Sequence, residues 1–364
     1  MAELTLDDLA RQLSDIEVAL WLSLVAREQC LIETTGACIH DLAKELALIG
    51  LNTFDISYSI VDCASTTAID DICSEILTPE SRKSQGRPTG SRMNTETSSN
   101  LSSYKSLRER SKSPIPGTHP DSSNVVNMVI AKNFNLISED IQVQILELMR
   151  SRKLVTETAI LNAPEDFLFV PLVVREGDQL HPPFKFHLND HLFISHFHDP
   201  GNGYVYLEDI DCLSDGEQSA SSVIRKSASY FQKKSPKVDR TMMDKLSAAS
   251  ETVSTSAEVV RYMQDIVVFL RLSRAVAGGV SAKASNHFSR FAQLLAPLHD
   301  IDYLTPSIVA LAARKVFRHR VVVATPYDDR SLQYGSDMMA VSQVLVDVTP
   351  DSILDGVLAL EPPL

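Results

Sequence analysis

The stretches GVSAKA (279–284), DYLTP (302–306) and FRHR (317–320) decide the fold that this sequence predicts. They lie between, or at the end of, segments whose apolar residues recur with a helical period. In the middle stretch, Thr305 is a preferred N-cap, and the proline after it suits the first position of a helix. These signals predict an all-helical domain over residues 238–326.

The segment before the first stretch, MQDIVVFLRLSRAVAG (263–278), has the apolar repeat of an amphipathic helix. Gly278 and Gly279 then supply the residue type that most often ends a helix, because glycine adopts the left-handed conformation easily. We therefore expect one helix that continues up to these glycines.

Together the three stretches resemble the lid domain of AAA+ ATPases, in the branch of MoxR proteins and magnesium chelatase ATPase subunits. The family patterns G-x-S-x-R-A, D-Y-V-T-P and L-R-H-R occur here in the same order, with Lys283 in place of the sensor arginine. The resemblance implies a helical lid attached to a nucleotide-binding core. In this family the lid packs on nearby subunits, so the basic residues at 314–320 are a candidate protein contact.

The amino-terminal half alternates strand-like runs with helical patterns, which predicts crossover connections and a parallel sheet with ligands at the carboxyl ends of its strands. The fold class expected is therefore an α/β, AAA+ type parallel-sheet, P-loop-like core followed by an all-helical lid domain. Ser138 is the expected cap of its helix. The predicted helices span 5–27, 39–49, 68–77 and 138–152, and the predicted strands span 30–33, 56–64, 125–131 and 167–173.

The stretch LIETTGACIHDLAKELA (31–47) resembles the family's L-L-E-G-P-P-G-T-G-K-T-x-L-A-K-A-L-A. A working P-loop needs glycines whose N–H groups face the phosphates, a lysine on the β- and γ-phosphates, and a hydroxyl on magnesium. Gly36 is kept here, but Ile39 stands at the lysine position and His40 at the hydroxyl position. Isoleucine supplies neither a charge nor a hydrogen bond, so phosphate binding loses its main cation.

The family's Walker B strand ends in Asp-Glu, which hold magnesium and polarise the attacking water. The strand predicted at 125–131 ends instead in Ala131, and Lys132 follows. The carboxylates are therefore lost and a cation is inserted, which leaves no evident magnesium site.

Two more family positions are altered. The strand FLFVPLVVR (167–175) places Val174 where the family has a polar sensor of the γ-phosphate. The family's D-R-F, whose arginine reaches a neighbouring subunit's nucleotide, corresponds to Asp190, His191 and Leu192. The resemblance thus implies a degenerate nucleotide site with background hydrolysis, made of Gly36, Ile39, His40, Ala131, Lys132 and Lys283.

Five histidines lie within residues 181–198, and His196 and His198 fall on one face of a strand. With Asp190 or Asp199 they could form a zinc site. The alternative is the polar face of an edge strand and its loop, which we favour, so the two histidines are weak metal candidates. No catalytic residue is assigned.

The amino-acid composition limits the kinds of partner and the compartment that we expect for this protein. The chain has 364 residues, 44% of them hydrophobic, and a formal net charge of −13. Such a charge makes nucleic-acid binding unlikely, because phosphate contacts need basic surface. Five cysteines without a CxxC pair argue for a reducing, intracellular compartment, the cytoplasm or the nucleus. No apolar run approaches the roughly 18 residues of a membrane helix.

Two segments have the composition of disordered chain. The first contains twelve serines and eight Lys and Arg against four Asp and Glu, and both carry serines beside basic residues, as phosphorylation sites often do. A last apolar segment at 349–360 predicts a capped helix that docks on its own domain. The predicted division is a degenerate core at 1–77 and 125–213, a disordered insertion at 78–124, a flexible linker at 214–237, a lid at 238–326 and a C-terminal extension at 327–364.

Three functions follow from these observations. The first is a non-hydrolysing pseudo-ATPase that serves as a regulatory or scaffold subunit, with AAA+ subunits or a second copy of itself as protein partners and no cofactor. The second, implied by the resemblance, is the ATPase subunit of a magnesium chelatase-like complex that inserts magnesium into a porphyrin with ATP. The third binds ATP without turnover, through Lys283 and backbone amides near Gly36. ATP and magnesium are expected only under the last two.

Overall fold

The computed structural model describes residues 5–78, 121–156, 159–175, 184–207, 236–359 and 362. A parallel five-stranded sheet forms the centre of the first part, and its strand order is β2-β4-β7-β1-β8. Strand β1 is buried along its whole length, as expected for a strand with neighbours on both sides and helices on both faces. The strands of this sheet are β1 (Gln29–Thr34), β2 (Tyr58–Asp62), β4 (Met128–Lys132), β7 (Leu168–Val174) and β8 (Leu192–Phe197).

The helices of the core follow the predicted alternation, with one correction at the amino end. The single helix expected over 5–27 is two helices, because Ser14 and Glu17 form a capping box that starts a new helix. Thr5 caps the first of them. The core helices are α1 (Leu6–Ala10), α2 (Asp15–Ala26), α3 (Ile39–Asn52), α4 (Ile69–Ile76), α5 (Glu139–Ser151) and α6 (Phe186–His191).

A small second sheet corrects two further predictions. Asp121–Asn124 (β3), assigned to the disordered insertion, is a strand that pairs in parallel with Ala159–Asn162 (β6). Strand β6 also pairs with Lys153–Val155 (β5) on its other side, so β3 adds to one edge of a pair of strands. The strand expected from residue 125 accordingly begins only at Met128. Residues 79–120 of the predicted insertion and 214–235 of the predicted linker lie outside the described residues.

Ser138 occupies the N-cap of α5, but its side chain makes no capping hydrogen bond. Ser138 therefore occupies the predicted cap position without capping the helix through its side chain. Glu139 and Asp140 lie in the first turn of α5, where carboxylates favour the positive end of the helix dipole.

The second part of the chain is helical except for one two-stranded sheet. Thr305 and Ser281 cap their helices through side-chain oxygens that accept from backbone N–H groups, as the quoted stretches predict for Thr305. The elements are α7 (Arg240–Thr252), α8 (Ala257–Leu272), β9 (Val276–Gly278), α9 (Ala282–Leu295), α10 (Pro306–Phe317), β10 (Val322–Val323), α11 (Met338–Leu345) and α12 (Pro350–Leu358).

Helix α8 ends at Leu272, so the helix expected up to Gly278 is shorter than predicted. The residues after it turn and pair with β10 in an antiparallel ladder. Gly279 has a φ of +97°, and a Cβ at this position would lie 1.7 Å from the carbonyl oxygen of Arg320. Only glycine therefore allows the chain to pass this closely before α9 begins.

One apolar cluster joins the two parts. It contains Trp21 of α2, Ile32 of β1, Phe288 of α9 and Leu354 of α12, all buried. The last of these confirms that the C-terminal helix docks on its own chain, where Thr349 and Ser352 form its capping box. No helix among the described residues is long and apolar enough to cross a membrane.

Substituting Gly279→Ala is expected to lower the free energy of unfolding by about 2–4 kcal/mol, because it adds both backbone strain and a clash with Arg320. Urea unfolding followed by the fluorescence of Trp21, the one tryptophan of the sequence, measures the change. Gly278→Ala is the matched control, since a Cβ there meets nothing within 4 Å. Equal losses in both variants would contradict this role of Gly279.

Candidate functional site

The carboxyl edge of the sheet carries the turn that stands in the P-loop position. Strand β1 ends at Thr34, a single 3-10 turn spans Gly36–Cys38, and α3 begins directly after it. His40 therefore lies in the first turn of α3, and Lys132 is the last residue of β4 at the same edge of the sheet. In parallel α/β sheets this edge is where ligands bind.

The structure brings His40 and Lys132 together and adds a third side chain. The Lys132 ammonium lies 3.1 Å from Nδ1 of His40 and 2.8 Å from a carboxylate oxygen of Asp62. Asp62 is the last residue of β2, next to β4 in the sheet. We call these three residues the edge cluster.

The sequence contains a signal that places Asp62 near this site. A carboxylate near the end of a predicted strand belongs at the same sheet edge as the end of the neighbouring strand. Strand order, which periodicity does not reveal, was needed to place the two side by side.

The side chains of Ile39 and Ala131 are buried in the protein interior. Ile39 is 3% exposed and Ala131 is 2% exposed, and each belongs to an apolar core cluster. The positions that would carry the phosphate cation and a magnesium carboxylate thus pack inside the protein.

The edge cluster does not fit magnesium and a triphosphate as the family binds them. Magnesium takes oxygen ligands, and the carboxylate of Asp62 is already paired with an ammonium group. The side chain of Lys132 is only 12% exposed, and its ammonium group is held between Asp62 and His40. Val174, at the predicted sensor position, adds no polar group.

A second set of side chains covers the P-loop turn from the side of β8. The hydroxyl of Thr34 donates to the carbonyl of His198, and the His198 ring lies 5.5 Å from that of Tyr204, centroid to centroid. Burial and, to a smaller degree, the neighbouring Cys38 side chain raise the pKa of the Tyr204 phenol. An aromatic ring thus lies beside the residue that precedes α3.

Glu45 holds this covering segment in place. Its carboxylate, on α3, accepts hydrogen bonds from the backbone N–H groups of Val205, Tyr206 and Leu207 at 2.9–3.2 Å. Burial raises the pKa of Glu45, while these N–H groups act in the opposite direction. Sequence reasoning missed this contact, although an acidic residue on the apolar face of a helix is a usable signal for a buried partner.

Lys283 lies at the opposite end of the sheet from Gly36. Its ammonium contacts Nδ1 of His191, which immediately precedes β8, and the first residues of β8 and β1 are paired. Gly36 follows the end of β1, whose six residues span roughly 17 Å at about 3.3 Å per residue. The expectation that Lys283 and Gly36 share one site within the chain is therefore wrong.

Lys283 instead lines a cleft of about 530 Å³ together with Asp190 and His191, which correspond to the first two residues of the family's D-R-F motif. Ser281 donates to Asp190 at 2.6 Å, and burial and the Lys283 cation lower the pKa of His191 to about 4. Arg150, Lys185 and His187 also line this cleft, against Asp190 as the one carboxylate in its lining. We call it the basic cleft.

The two weak metal candidates, His196 and His198, are buried at the end of β8, and their assignment stays a prediction. His196 is 5% exposed, and burial followed by the nearby Lys315 cation lowers its pKa to about 3. The part of the chain that the structure describes contains no group of three or more His, Cys, Asp and Glu that could hold a metal ion. Strand β8 lies at an edge of the sheet, as the alternative explanation required.

Three side chains at the basic end of α10 are engaged within the chain. Arg318 pairs with Glu33 of β1 and with Asp351 of α12. His319 and Arg320 are each 2% exposed. Arg314, at the same end of the helix, has a side chain that is 48% exposed and pairs with Asp355. The candidate protein contact over 314–320 stays a prediction.

Residues 269–337 match the family model of the AAA lid domain. No curated protein matches the chain. Among solved structures, a presumed ATPase from Cytophaga hutchinsonii ATCC 33406 is similar, with a TM-score of 0.55 and 12% sequence identity over 94% of this chain and 92% of that chain. At such low identity the likeness concerns the fold. Residues 269–337 thus form an AAA lid domain, and the chain has the AAA+ fold, a parallel-sheet α/β core followed by a helical lid.

Proposed function

We propose that this chain is a non-hydrolysing member of the AAA+ fold that acts as a scaffold or regulatory subunit through protein partners. The edge cluster carries this proposal. Where hydrolysis needs a free cation and carboxylates on magnesium, Lys132 is paired with Asp62 and His40, and Ile39 is buried in the core.

The covering segment supports the same conclusion from the other side of the turn. Tyr204 lies beside Cys38, and Glu45 fixes the backbone behind it through three N–H groups. A nucleotide would have to displace the aromatic ring and separate an ion pair before its phosphates reached the α3 N-terminus.

The basic cleft supports a role in assembly. Lys283, Arg150 and Lys185 line a cavity whose wall contains one carboxylate, and Arg150 is exposed. Such a surface favours an acidic or phosphate-bearing partner. In a mixed assembly, this face would meet a neighbouring AAA+ subunit that performs the hydrolysis.

The purified chain is expected to show no magnesium-dependent ATP turnover above a blank and no saturable binding of a fluorescent ATP analogue. Phosphate release and fluorescence anisotropy measure the two properties. The Lys132→Ala variant identifies contamination, because activity from another protein would persist unchanged in it. Turnover that is present in the wild type and altered in this variant would overturn the proposal.

Ile39→Lys alone is expected to give no turnover, because the lost carboxylates and the Lys132 ammonium remain. Burying a lysine at this position should also lower the free energy of unfolding by about 2–4 kcal/mol, whereas Ile39→Leu should cost about 1 kcal/mol. Urea unfolding and phosphate release are measured on both variants. Turnover from the single substitution would show that Ala131 and Lys132 are not at the Walker B position.

Affinity purification of the chain from its native cell, followed by mass spectrometry, is expected to recover AAA+ subunits with complete Walker motifs. Arg150→Glu should weaken their recovery several-fold, because it reverses a charge at the basic cleft. Lys153→Glu is the matched control, since Lys153 is exposed on the following strand and does not line the cleft. Equal recovery with both variants would exclude the basic cleft as the contact.

A further inference from the structure

A second cleft lies between the core and the lid, away from the carboxyl edge of β1. Its volume is about 520 Å³, within the usual range of small-molecule sites. Strand β8 contributes Ile194 to its lining, α2 contributes Leu22, and α9 contributes Phe291 and Leu295. Most of the side chains that line it are apolar, so an occupant would bury an apolar body.

One cation lines this cleft without a carboxylate partner. The Lys315 ammonium, on α10, donates to Nδ1 of His196 at 3.1 Å. Among the described residues no carboxylate forms a salt bridge with it, and burial lowers the pKa of Lys315. The carboxylates of Asp15 and Glu33 act on Lys315 only from beyond salt-bridge distance, and a desolvated cation without a salt-bridge partner is costly, so the site favours an anion.

The neighbouring histidine strengthens this preference. Because Nδ1 of His196 accepts from Lys315, the proton of the neutral ring lies on Nε2. That Nε2 atom is buried and has no hydrogen-bond partner among the described residues. The Nε2–H group of His196 and the ammonium group of Lys315 are both buried donors, and an acceptor oxygen in the cleft would stabilise both.

The other charged groups of the cleft lie nearer to solvent. Asp7 pairs with Arg11 at 2.7 Å, and Arg11 is exposed. Asp15 is also exposed, and its charge acts on Lys315 without forming a salt bridge. His299 completes the polar lining. The inner part of the cleft thus remains apolar, with Lys315 and His196 as its polar pair.

We propose that this cleft binds a small monocarboxylate with an apolar hydrocarbon body. The carboxylate pairs with Lys315, and the hydrocarbon lies against Leu22, Phe291 and Leu295. Such a ligand contacts α2 and β8 of the core and α9 and α10 of the lid, so it stabilises the docked lid. This inference does not depend on the nucleotide chemistry proposed above.

Isothermal titration calorimetry with decanoate, below its micelle concentration, tests the proposal on the full chain. Saturable binding at one site is expected, at least tenfold tighter than that of decanol, which lacks the charge. Lys315→Met, which keeps the apolar stem, should weaken decanoate binding at least tenfold. Lys153→Met is the matched control and should leave it unchanged, since Lys153 is exposed and does not line the cleft.

Leu311→Trp provides a second test that does not touch the buried pair. Leu311 lines the cleft and is 40% exposed, so a larger ring there occupies the cavity without disturbing the core. Weaker decanoate binding with an unchanged circular dichroism spectrum is expected. Binding that is equal in the wild type and in Lys315→Met, equal for decanol and decanoate, or absent altogether would overturn the proposal.

Discussion

The ion pairs of Arg318 hold the two parts of this molecule in their observed arrangement. This side chain, at the end of α10, pairs with Glu33 near the end of β1 and with Asp351 of α12, and Asp351 also pairs with Arg175 at 3.1 Å. Glu33 is almost fully buried, so an unpaired carboxylate there would be strongly destabilising. The core, the lid and the C-terminal helix are therefore tied together at one point, directly before the P-loop-like turn.

That location adds one more paired charge to the carboxyl edge of the sheet, which supports the proposal that no triphosphate binds there. In parallel α/β folds this edge usually offers free N–H groups and charges to a ligand. Here Glu33 pairs with Arg318, Lys132 pairs with Asp62, and Glu45 accepts three backbone N–H groups. Each of these three charges is compensated from within the chain, so a ligand that uses one of them would have to break an existing contact.

The fold could be predicted from the sequence where local signals agree with packing. The strand and helix alternation placed the parallel sheet, and Thr305 with Pro306 placed the start of α10. The altered nucleotide site indicated by Ile39, His40 and Lys132 stays a prediction. These elements depend on nearby residues, and their signals are therefore readable in sequence order.

The errors concern contacts between residues distant in sequence. Helix α8 stops early because β9 pairs with β10, more than forty residues later, and β3 is a strand because it pairs with β6. Lys283 was assigned to the wrong end of the sheet, since no pattern along the chain states where a lid docks. Asp62 was overlooked for the same reason, because its neighbour β4 lies beyond the long insertion.

Two lysines of similar burial illustrate what decides a binding site in this fold. Lys132 lies at the sheet edge where ligands are expected, yet Asp62 already compensates its charge. Lys315 lies between the core and the lid, and the side-chain hydrogen-bond partner that it has among the described residues is the neutral histidine His196. Since a buried cation attracts an anion in proportion to the charge left uncompensated, Lys315 is the one of these two lysines that is suited to hold an anionic ligand.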